Sequence, residues 1–200
     1  AIIRGSGVNT KIFTPGGEPL GIPIVMLASR MLWNKGVGEF VGAARILKQE
    51  GIEARFILVG ECDSENPESI PGEQLNEWSK VGMIEWWGAK TSMHKILIQA
   101  HIICLPSYRE GLPKVLLEAA SCEKPIIATD VPGCREVVNN GESGFLVPVE
   151  DSISLSYAIK KLVIDSKKRK IMGKNGRKIV EKEFSEEIIV FQTFKLYQRV

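Results

Sequence analysis

Histidine and cysteine are scarce in this sequence, and their spacing fits no metal site. Among 200 residues there are two histidines, His94 and His101, and four cysteines at wide, irregular intervals without a C-x-x-C pair. Zinc sites and disulfide frameworks need closely spaced ligands or paired cysteines. We therefore predict no metal ion and free thiols, which suit a reducing, cytoplasmic setting. Cys104, inside an apolar run, is expected to be a small core residue.

An excess of one charge and long apolar runs are also missing. The net charge is only +2, so the molecule as a whole is not expected to bind polyanions. No run of 18 apolar residues exists, so the sequence predicts no membrane-spanning helix. There is no Walker A motif, which argues against a phosphate-hydrolysing machine. A hydrophobic content of 44% is enough to build one full core.

Short apolar runs alternate with amphipathic segments along most of the chain. This alternation predicts an α/β fold: a Rossmann-like parallel sheet of about six strands, with helices on both faces and further helices at the end. The predicted strands are 22–28, 55–59, 83–86, 102–105, 125–128 and 144–147. The predicted helices are 37–49, 73–80, 92–100, 113–122 and 135–138, one capped by Asp151 or Ser152 that runs to about 164, one capped by Ser166 that runs to about 183, and one that Ser185 begins.

Three segments differ in composition. Residues 1–20 are rich in glycine and proline, which predicts an interdomain linker. Residues 21–183 carry the alternating pattern and form the predicted Rossmann-like domain. Residues 184–200 form a final helix. Because the chain opens at Ala1 without an initiator Met or a signal-peptide pattern, we expect it to be a piece of a longer protein.

Two carboxylates flank a predicted junction between a loop and a helix. Glu110 follows the strand 102–105, and Glu118 lies in the second turn of the helix that Pro113 begins. Gly111 allows backbone to approach a ligand, and the free N–H groups of the first helical turn favour an anion. Carboxylates accept hydrogen bonds from hydroxyl groups. The arrangement therefore fits a sugar diphosphate.

A structural alternative stays open on spacing alone. Lys114 and Glu118 lie four residues apart and could form an ordinary ion pair on a helix surface, while Glu110 could be a solvated loop residue. Arg30 and Lys35, just past the first predicted strand, could likewise belong to a solvated loop. Together with the helix N-terminus, however, these two cations would hold a diphosphate at the carboxyl edge of the sheet.

Several motifs resemble family 4 of the retaining glycosyltransferases, which have the GT-B fold, and in the right order they cover nearly all 200 residues. They are Gly5-Ser6-Gly7-Val8-Asn9, Ser29-Arg30-Met31-Leu32-Trp33-Asn34-Lys35-Gly36, the Glu110-x7-Glu118 pair with its Glu-Gly-x-Pro opening, the segment 124–138, and the segment 140–148.

The resemblance implies that residues 21–183 are the nucleotide-sugar-binding domain, and it implies a role for each site residue. It assigns Arg30 and Lys35 to the phosphates of the donor, Glu118 to the ribose hydroxyls and Glu110 to the transferred sugar. The catalytic residues of this half are then Glu110, Arg30 and Lys35. Further donor contacts are expected along Gly111, Leu112, Pro113, Lys114 and Val115. The nucleobase would lie near Trp87 and Gly88, where Trp86 and Trp87 could each instead be buried strand residues.

The resemblance also implies an activity. We expect transfer of a hexose or N-acetylhexosamine from a nucleotide diphosphate sugar, UDP in preference to GDP, with retention, in bacterial surface polysaccharide or glycolipid synthesis. No cofactor and no metal are expected. The acceptor, a saccharide or a lipid-linked one, would bind through a missing N-terminal domain, onto which the final helix would cross back. The chain alone is then expected to be inactive.

Two departures from the family pattern accompany these expectations. Leu112-Pro113-Lys114 stands where Phe-Gly is frequent, a variant that resembles enzymes of surface polysaccharide synthesis. Gly60-Glu61-Cys62-Asp63 replaces the usual Gly-Asp/Glu-Gly, which leaves the wall of the donor pocket undefined at that point.

Three other functions are found on folds of this type. An oxidoreductase would need a dinucleotide fingerprint, and the glycines Gly36, Gly38 and Gly42 are one residue off that spacing. A nucleotide-sugar epimerase of GT-B fold remains an alternative, although the Arg30/Lys35 and Glu110/Glu118 combination favours transfer. A nucleotide-binding module without transfer activity is the remaining alternative.

The segment 160–182 is strongly basic, with ten Lys and Arg against two acidic residues. A contact with anionic lipid or nucleic acid is one interpretation. The other is a solvated helix whose apolar residues Leu162, Val163, Ile171 and Ile179 pack on the core, and this one is favoured. A peripheral contact with the cytoplasmic face of the membrane stays open, and no nucleic-acid partner is expected.

Overall fold

Six short strands of two to five residues, most of them largely apolar, form one parallel sheet. The computed structural model describes residue 5 and residues 7–198. The strands are β1 (Ile24–Ala28), β2 (Arg55–Val59), β3 (Glu85–Trp86), β4 (Ile102–Leu105), β5 (Ile126–Thr129) and β6 (Gly144–Val147). Their order is β3-β2-β1-β4-β5-β6, and every neighbouring pair is parallel. The predicted α/β fold with a six-stranded parallel sheet is confirmed.

Eight helices follow the strands among the described residues. They are α1 (Val37–Gln49), α2 (Gly72–Lys80), α3 (Met93–Leu97), α4 (Lys114–Ser121), α5 (Pro132–Arg135), α6 (Ser152–Val163), α7 (Ser166–Glu183) and α8 (Glu186–Tyr197). A single 3-10 turn at Trp33–Lys35 precedes α1. Strands β1, β2 and β4 are buried almost throughout, as expected for a parallel sheet covered on both faces.

Some helix ends differ from the sequence predictions. Pro113 is the N-cap of α4, with φ −72° and ψ 110°, so the helix begins at Lys114 and the prediction that Pro113 starts it was wrong. Asp165, and not Ser166, caps α7, because its carboxylate accepts from the Lys168 N–H at 2.9 Å. The helix predicted at 135–138 lies at 132–135, where Pro132 occupies the first position.

Two helix layers enclose the sheet. One core cluster joins the β1 residue Met26 to Leu116 and Leu117 of α4. The other joins Val25 and Leu27 of β1 to α1 and α6. Helix α1 packs on α6, where a Cβ on Gly42 would lie only 2.6 Å from Ser152 Oγ. This glycine therefore serves helix packing, which accounts for part of the imperfect dinucleotide-like pattern.

The glycine- and proline-rich segment before β1 is fastened to the domain. Val8 forms a parallel bridge with Ser185, next to the start of α8. Carbonyl groups of residues 13–19 accept hydrogen bonds from side chains of the domain body: Arg177 and Ser121 donate to Phe13, Lys124 to Gly17, and the His101 imidazole contacts the Pro19 carbonyl. Of the predicted linker, residues 1–4 and Ser6 lie outside the described residues.

Helix α7 carries the basic segment along one side of the domain. Leu162 and Val180 are fully buried, but Ile171 is 61% exposed, so the expectation that Ile171 packs on the core was wrong. Arg169 is buried and its Nε donates to Glu18 Oε1, whereas Lys167 and Lys174 are exposed. In the described part of the chain, no helix is long and apolar enough to cross a membrane.

The strand order places a crevice beside the first strand. β1 lies next to both β2 and β4. Helix α1, which follows β1, packs with the cluster on one face of the sheet, and α4, which follows β4, packs with the cluster on the other. Where consecutive connections leave a parallel sheet in opposite directions, their loops separate and a ligand site opens. The loops after β1 and β4 carry the predicted site residues.

Candidate donor-binding site

The loops after β1 and β4 meet through an ion pair. Lys35, in the 3-10 turn before α1, places its Nζ 2.6 Å from Glu110 Oε1 in the loop after β4. Their side chains are only 22% and 12% exposed. Residues 75 positions apart in sequence therefore form one charged pair at the crevice. The sequence predicted both residues as site residues but not their direct contact.

Backbone contacts around Asn34 hold these two loops together. The Asn34 carbonyl accepts from the Tyr108 N–H at 2.9 Å and from Ser107 Oγ at 3.2 Å. The Tyr108 hydroxyl donates to Glu39 Oε1 at 2.8 Å, and burial together with this carboxylate raises the pKa of Tyr108. These residues fix the position of Lys35 relative to Glu110. Sequence reasoning missed them, because serine, asparagine and tyrosine in loops give no motif signal.

Arg30 lies at the other side of the crevice, two residues beyond β1. Its Nη1 donates to Asp63 Oδ2 at 2.7 Å, and its side chain is 59% exposed. Arg30 and Lys35 belong to the same loop and line the same cavity, but each cation has its own carboxylate partner.

Glu118 is buried in the second turn of α4. It is only 8% exposed, and burial raises the pKa of its carboxyl group, while the charge of Lys114 acts in the opposite direction. Among the described residues its carboxylate has neither a hydrogen bond nor an ion pair within 4 Å, so the alternative of a Lys114–Glu118 surface pair was wrong. A buried carboxylate without such a partner among residue 5 and residues 7–198 is suited to accept from a ligand hydroxyl.

The loop between Glu110 and α4 has room on its outer side. Apart from its chain neighbours, no atom of the described residues lies within 4 Å of the position that a Cβ on Gly111 would take. The first helical hydrogen bonds of α4 are donated by Leu116 and Leu117 to the Pro113 carbonyl, so the N–H groups of Lys114 and Val115 precede the helical ladder. These groups and the open space at Gly111 together form the predicted anion-binding element.

The backbone of α5 packs closely against the loop that carries Glu110 and Gly111. A Cβ on Gly133 would lie 2.2 Å from the Gly111 carbonyl oxygen and 2.6 Å from that of Glu110. Only glycine permits so close an approach of backbone to backbone. The Pro132-Gly133 turn, which lies in the family-like segment 124–138, therefore packs directly against the backbone that carries Glu110.

Arg30 lines two adjoining cavities. One, of about 360 Å³, includes Arg30, Lys35, Glu110 and Gly111. The other, of about 260 Å³, includes Arg30, Val115 and Glu118. The structure thus brings together six of the predicted site residues. Sequence reasoning missed the other lining residues, among them the polar Asn34, Asn66 and Arg109 in the first cavity and Lys90 in the second.

The remaining predicted site residues lie further from these cavities. Pro113 is buried, Lys114 is exposed and Leu112 packs against the core cluster, and none of the three lines either cavity. The same is true of Trp87 and Gly88, although Ala89 and Lys90, directly after them, line the Glu118 cavity.

The two neighbouring tryptophans are both half-buried and both hydrogen-bonded. Trp86 Nε1 donates to the Gly60 carbonyl at 2.8 Å, and Trp87 Nε1 donates to Glu85 Oε2 at 3.2 Å. Trp87 also packs against the core cluster that contains α4. Neither indole is fully buried, so the strand-core role foreseen for one of them applies in part.

Three of the four cysteines are buried. Cys104, Cys122 and Cys134 are buried free thiols, and the expected core position of Cys104 is confirmed. Burial raises the pKa of Cys122 and of Cys134 to about 12, so neither is a thiolate near neutral pH. Within the part of the chain that the structure describes, no three His, Cys, Asp or Glu residues are grouped to hold a metal ion.

Comparison with solved structures shows the same fold elsewhere. The sucrose-phosphate synthase of Thermosynechococcus elongatus superimposes with a TM-score of 0.86 at 28% identity, over 98% of this chain and 51% of that one. Anabaena HepE in complex with UDP gives a TM-score of 0.85 at 20% identity, over 97% and 56%. The C-terminal domain of a glycosyl transferase group 1 family protein from Francisella tularensis gives 0.76 at 22% identity, over 90% and 99%.

Sequence comparison identifies the family. The chain is 35% identical, over its full length and 54% of the relative, to the N,N'-diacetylbacillosaminyl-diphospho-undecaprenol alpha-1,3-N-acetylgalactosaminyltransferase of Campylobacter jejuni. It spans about half the length of the curated relatives it matches. The family profile described as Glycosyl transferases group 1 matches residues 8–179. The chain belongs to the glycosyl transferases group 1 family, and its fold is that of the C-terminal, GT-B-type domain.

Proposed function

We propose that this chain is the donor-binding half of a retaining glycosyltransferase of family 4. It takes a hexose or an N-acetylhexosamine from a nucleotide diphosphate sugar, with UDP as the nucleotide. The Anabaena protein of the same fold is in complex with UDP, which supports this nucleotide. The Campylobacter relative is named as an N-acetylgalactosaminyltransferase, which supports an N-acetylhexosamine. The activity of the whole protein is part of this proposal.

One observation carries the proposal. Two cations, Arg30 and Lys35, lie after β1, and two carboxylates, Glu110 and Glu118, lie on either side of the α4 N-terminus after β4. All four line adjoining cavities beside the strand-order switch. A sugar nucleotide presents the complementary groups in the same order: a diol on the ribose, a diphosphate, and hydroxyls on the sugar.

The chemistry follows from these charges. Arg30, Lys35 and the N–H groups at the start of α4 stabilise the negative charge that develops on the departing diphosphate. Glu110 accepts from hydroxyls of the transferred sugar and, through its pair with Lys35, fixes that cation beside the scissile bond. Glu118 accepts from the ribose diol. Gly111 and Val115, which line the cavities, border the phosphates and the sugar, and Leu112, Pro113 and Lys114 complete the same loop without lining them. Trp87 and Gly88 precede the lining residues Ala89 and Lys90 on the side of the base.

The rest of the proposed reaction concerns the acceptor. A saccharide or lipid-linked acceptor would bind to the N-terminal domain, in the synthesis of a bacterial surface polysaccharide or glycolipid at the cytoplasmic face of the membrane. The 200-residue chain alone is then expected not to transfer sugar. Acceptor-dependent release of UDP by this chain would contradict that expectation, and formation of an epimeric UDP-sugar without acceptor would favour the epimerase alternative.

Calorimetry with UDP tests the proposal. The Arg30→Ala/Lys35→Ala variant should bind UDP at least about 10-fold more weakly than the wild type, because two charge-assisted phosphate contacts are lost. The matched control is Arg55→Ala/Lys160→Ala, which also removes one arginine and one lysine from ion pairs, but outside the two cavities. Equal affinity of a folded Arg30/Lys35 variant and the wild type would overturn the assignment.

A further inference from the structure

The loop between β2 and α2 departs from the family pattern, yet it is firmly attached to the donor site. Three backbone hydrogen bonds of 2.9 Å join it to the loop after β1. Met31 N–H donates to the Glu61 carbonyl, Trp33 N–H donates to the Glu68 carbonyl, and Ile70 N–H donates to the Met31 carbonyl. The segment 61–70 therefore lies as a fixed wall along the residues that follow Arg30.

Asp63 is held in a defined place within this wall. Its N–H donates to Ser69 Oγ at 3.0 Å, and its carbonyl accepts from the Asn66 N–H at 2.9 Å. Its carboxylate accepts from Arg30 Nη1 at 2.7 Å and is only 29% exposed. The backbone contacts of Asp63 thus fix the point at which the Arg30 guanidinium is held.

We infer that Asp63 is a positioning residue for Arg30, an assignment that rests on the proposed donor site. Nη1 is the guanidinium nitrogen found to bind Asp63, which leaves the edge formed by Nε and Nη2 for a second anion. That edge is the one that can contact a phosphate with two parallel hydrogen bonds. Arg30 is 59% exposed, so Asp63 is what keeps an otherwise mobile side chain oriented toward the diphosphate.

An alternative role for Asp63, competition with the diphosphate, leads to the opposite prediction for UDP binding. If its carboxylate competed with the diphosphate for Arg30, its removal would strengthen UDP binding. If it positions Arg30, its removal forces UDP binding to immobilise a long side chain, which weakens affinity. The charge and the hydrogen bond can be separated, because Asp63→Asn keeps an acceptor oxygen in place whereas Asp63→Ala removes it.

The experiment is a calorimetric titration of UDP into the 200-residue chain and its variants. We expect Asp63→Ala to weaken UDP binding by roughly 2- to 10-fold, and Asp63→Asn to weaken it less. In an Arg30→Ala background, Asp63→Ala should have no further effect, because its role acts through Arg30. Glu50→Ala is the control, since it removes the carboxylate of a comparably exposed ion pair, with Lys160, outside the cavities.

NMR of the arginine side chains supplies a readout that needs no ligand. The Arg30 Nε–H group should be more ordered in the wild type than in Asp63→Ala and Asp63→Asn. Unchanged order, unchanged UDP affinity or tighter UDP binding in folded Asp63→Ala would overturn this role and leave the proposed donor site intact. A wild type that binds no UDP would overturn the donor site, and the role of Asp63 with it.

Discussion

Lys35 Nζ and Glu110 Oε1 lie 2.6 Å apart and connect the loops after β1 and β4. Both side chains are largely shielded from water, so the attraction between them is less screened than in an exposed pair. In the proposed complex a diphosphate would share Lys35 with Glu110. The pair therefore couples the phosphate-binding and the sugar-binding parts of the site.

The two carboxylates of the site should differ in what they recognise. Glu118→Gln keeps the shape but removes the anionic acceptor for the ribose, which UDP and UDP-sugars share. We expect it to weaken the binding of both by about 10-fold or more, from a lost charged hydrogen bond of roughly 1.5–3 kcal/mol. Glu110→Gln keeps an amide oxygen that can accept from Lys35 Nζ, so UDP binding should change little, whereas turnover in the full-length enzyme should fall.

Parallel titrations with UDP and a UDP-sugar measure this difference. Glu142→Gln, at an exposed position outside both cavities, serves as the matched control. If Glu110→Gln weakens free UDP as much as Glu118→Gln does, the division of roles is wrong. The two carboxylates would then act together on the nucleotide.

Glu118 should also affect stability in a pH-dependent way. Burial raises its pKa above the ordinary value of 4.5, so the folded state retains the proton to a higher pH than the unfolded state. Its contribution to the free energy of unfolding therefore falls as pH rises through the interval between 4.5 and the raised value. Glu118→Gln should stabilise the protein at pH 7 and change little below pH of about 4.

Urea unfolding at the two pH values tests this expectation, with Glu142→Gln as the exposed control. The same Glu118→Gln variant is expected to lose UDP affinity, so stability and function would change in opposite directions. A variant that is equally destabilised at both pH values would show that the Glu118 carboxylate is structural.

Gly133 should be sensitive to the addition of a single methyl group. In Gly133→Ala the new Cβ would lie 2.2 Å from the Gly111 carbonyl oxygen, so the loop that carries Glu110 must move. We expect lower turnover of the full-length enzyme, with some loss of stability. Gly72→Ala is the matched control, because no atom lies within 4 Å of its Cβ. Wild-type turnover in Gly133→Ala would show that the loop position is not critical.

The ion pair between the buried Arg169 and the partly buried Glu18 should stabilise the packing of the segment before β1 on the domain. Arg169 is 7% exposed, and its Nη1 also donates to the Leu162 and Val163 carbonyls at 2.6 and 2.8 Å. Arg169→Met leaves Glu18 without this partner, which suggests a loss of about 3–5 kcal/mol in the free energy of unfolding.

Urea denaturation measures that loss. Lys170→Met is the control, since Lys170 is exposed and lies 3.5 Å from the same carboxylate. Adding Glu18→Gln to Arg169→Met should restore part of the stability, because it removes the uncompensated charge. If Lys170→Met costs as much as Arg169→Met, the buried guanidinium has no special role.

Periodicity and composition were enough to predict the elements of the fold. The strands 55–59, 102–105 and 144–147 and the helix 37–49 were predicted with their observed bounds, because buried strands and amphipathic helices leave local patterns. Helix ends were predicted less well. Pro113 can stand at an N-cap or at the first helical position, and Ser166 competes with Asp165 for the cap, so local sequence alone does not choose.

For the site, the sequence determined which residues could take part, since Arg30, Lys35, Glu110 and Glu118 fall at the ends of predicted strands or in the helix that follows. Tertiary structure decided their partners. The contacts of Lys35 with Glu110, of Arg30 with Asp63 and of Gly133 with Gly111 join residues that are 75, 33 and 22 positions apart. Such contacts depend on how the loops of neighbouring strands meet at the edge of the sheet, and no local pattern encodes that geometry.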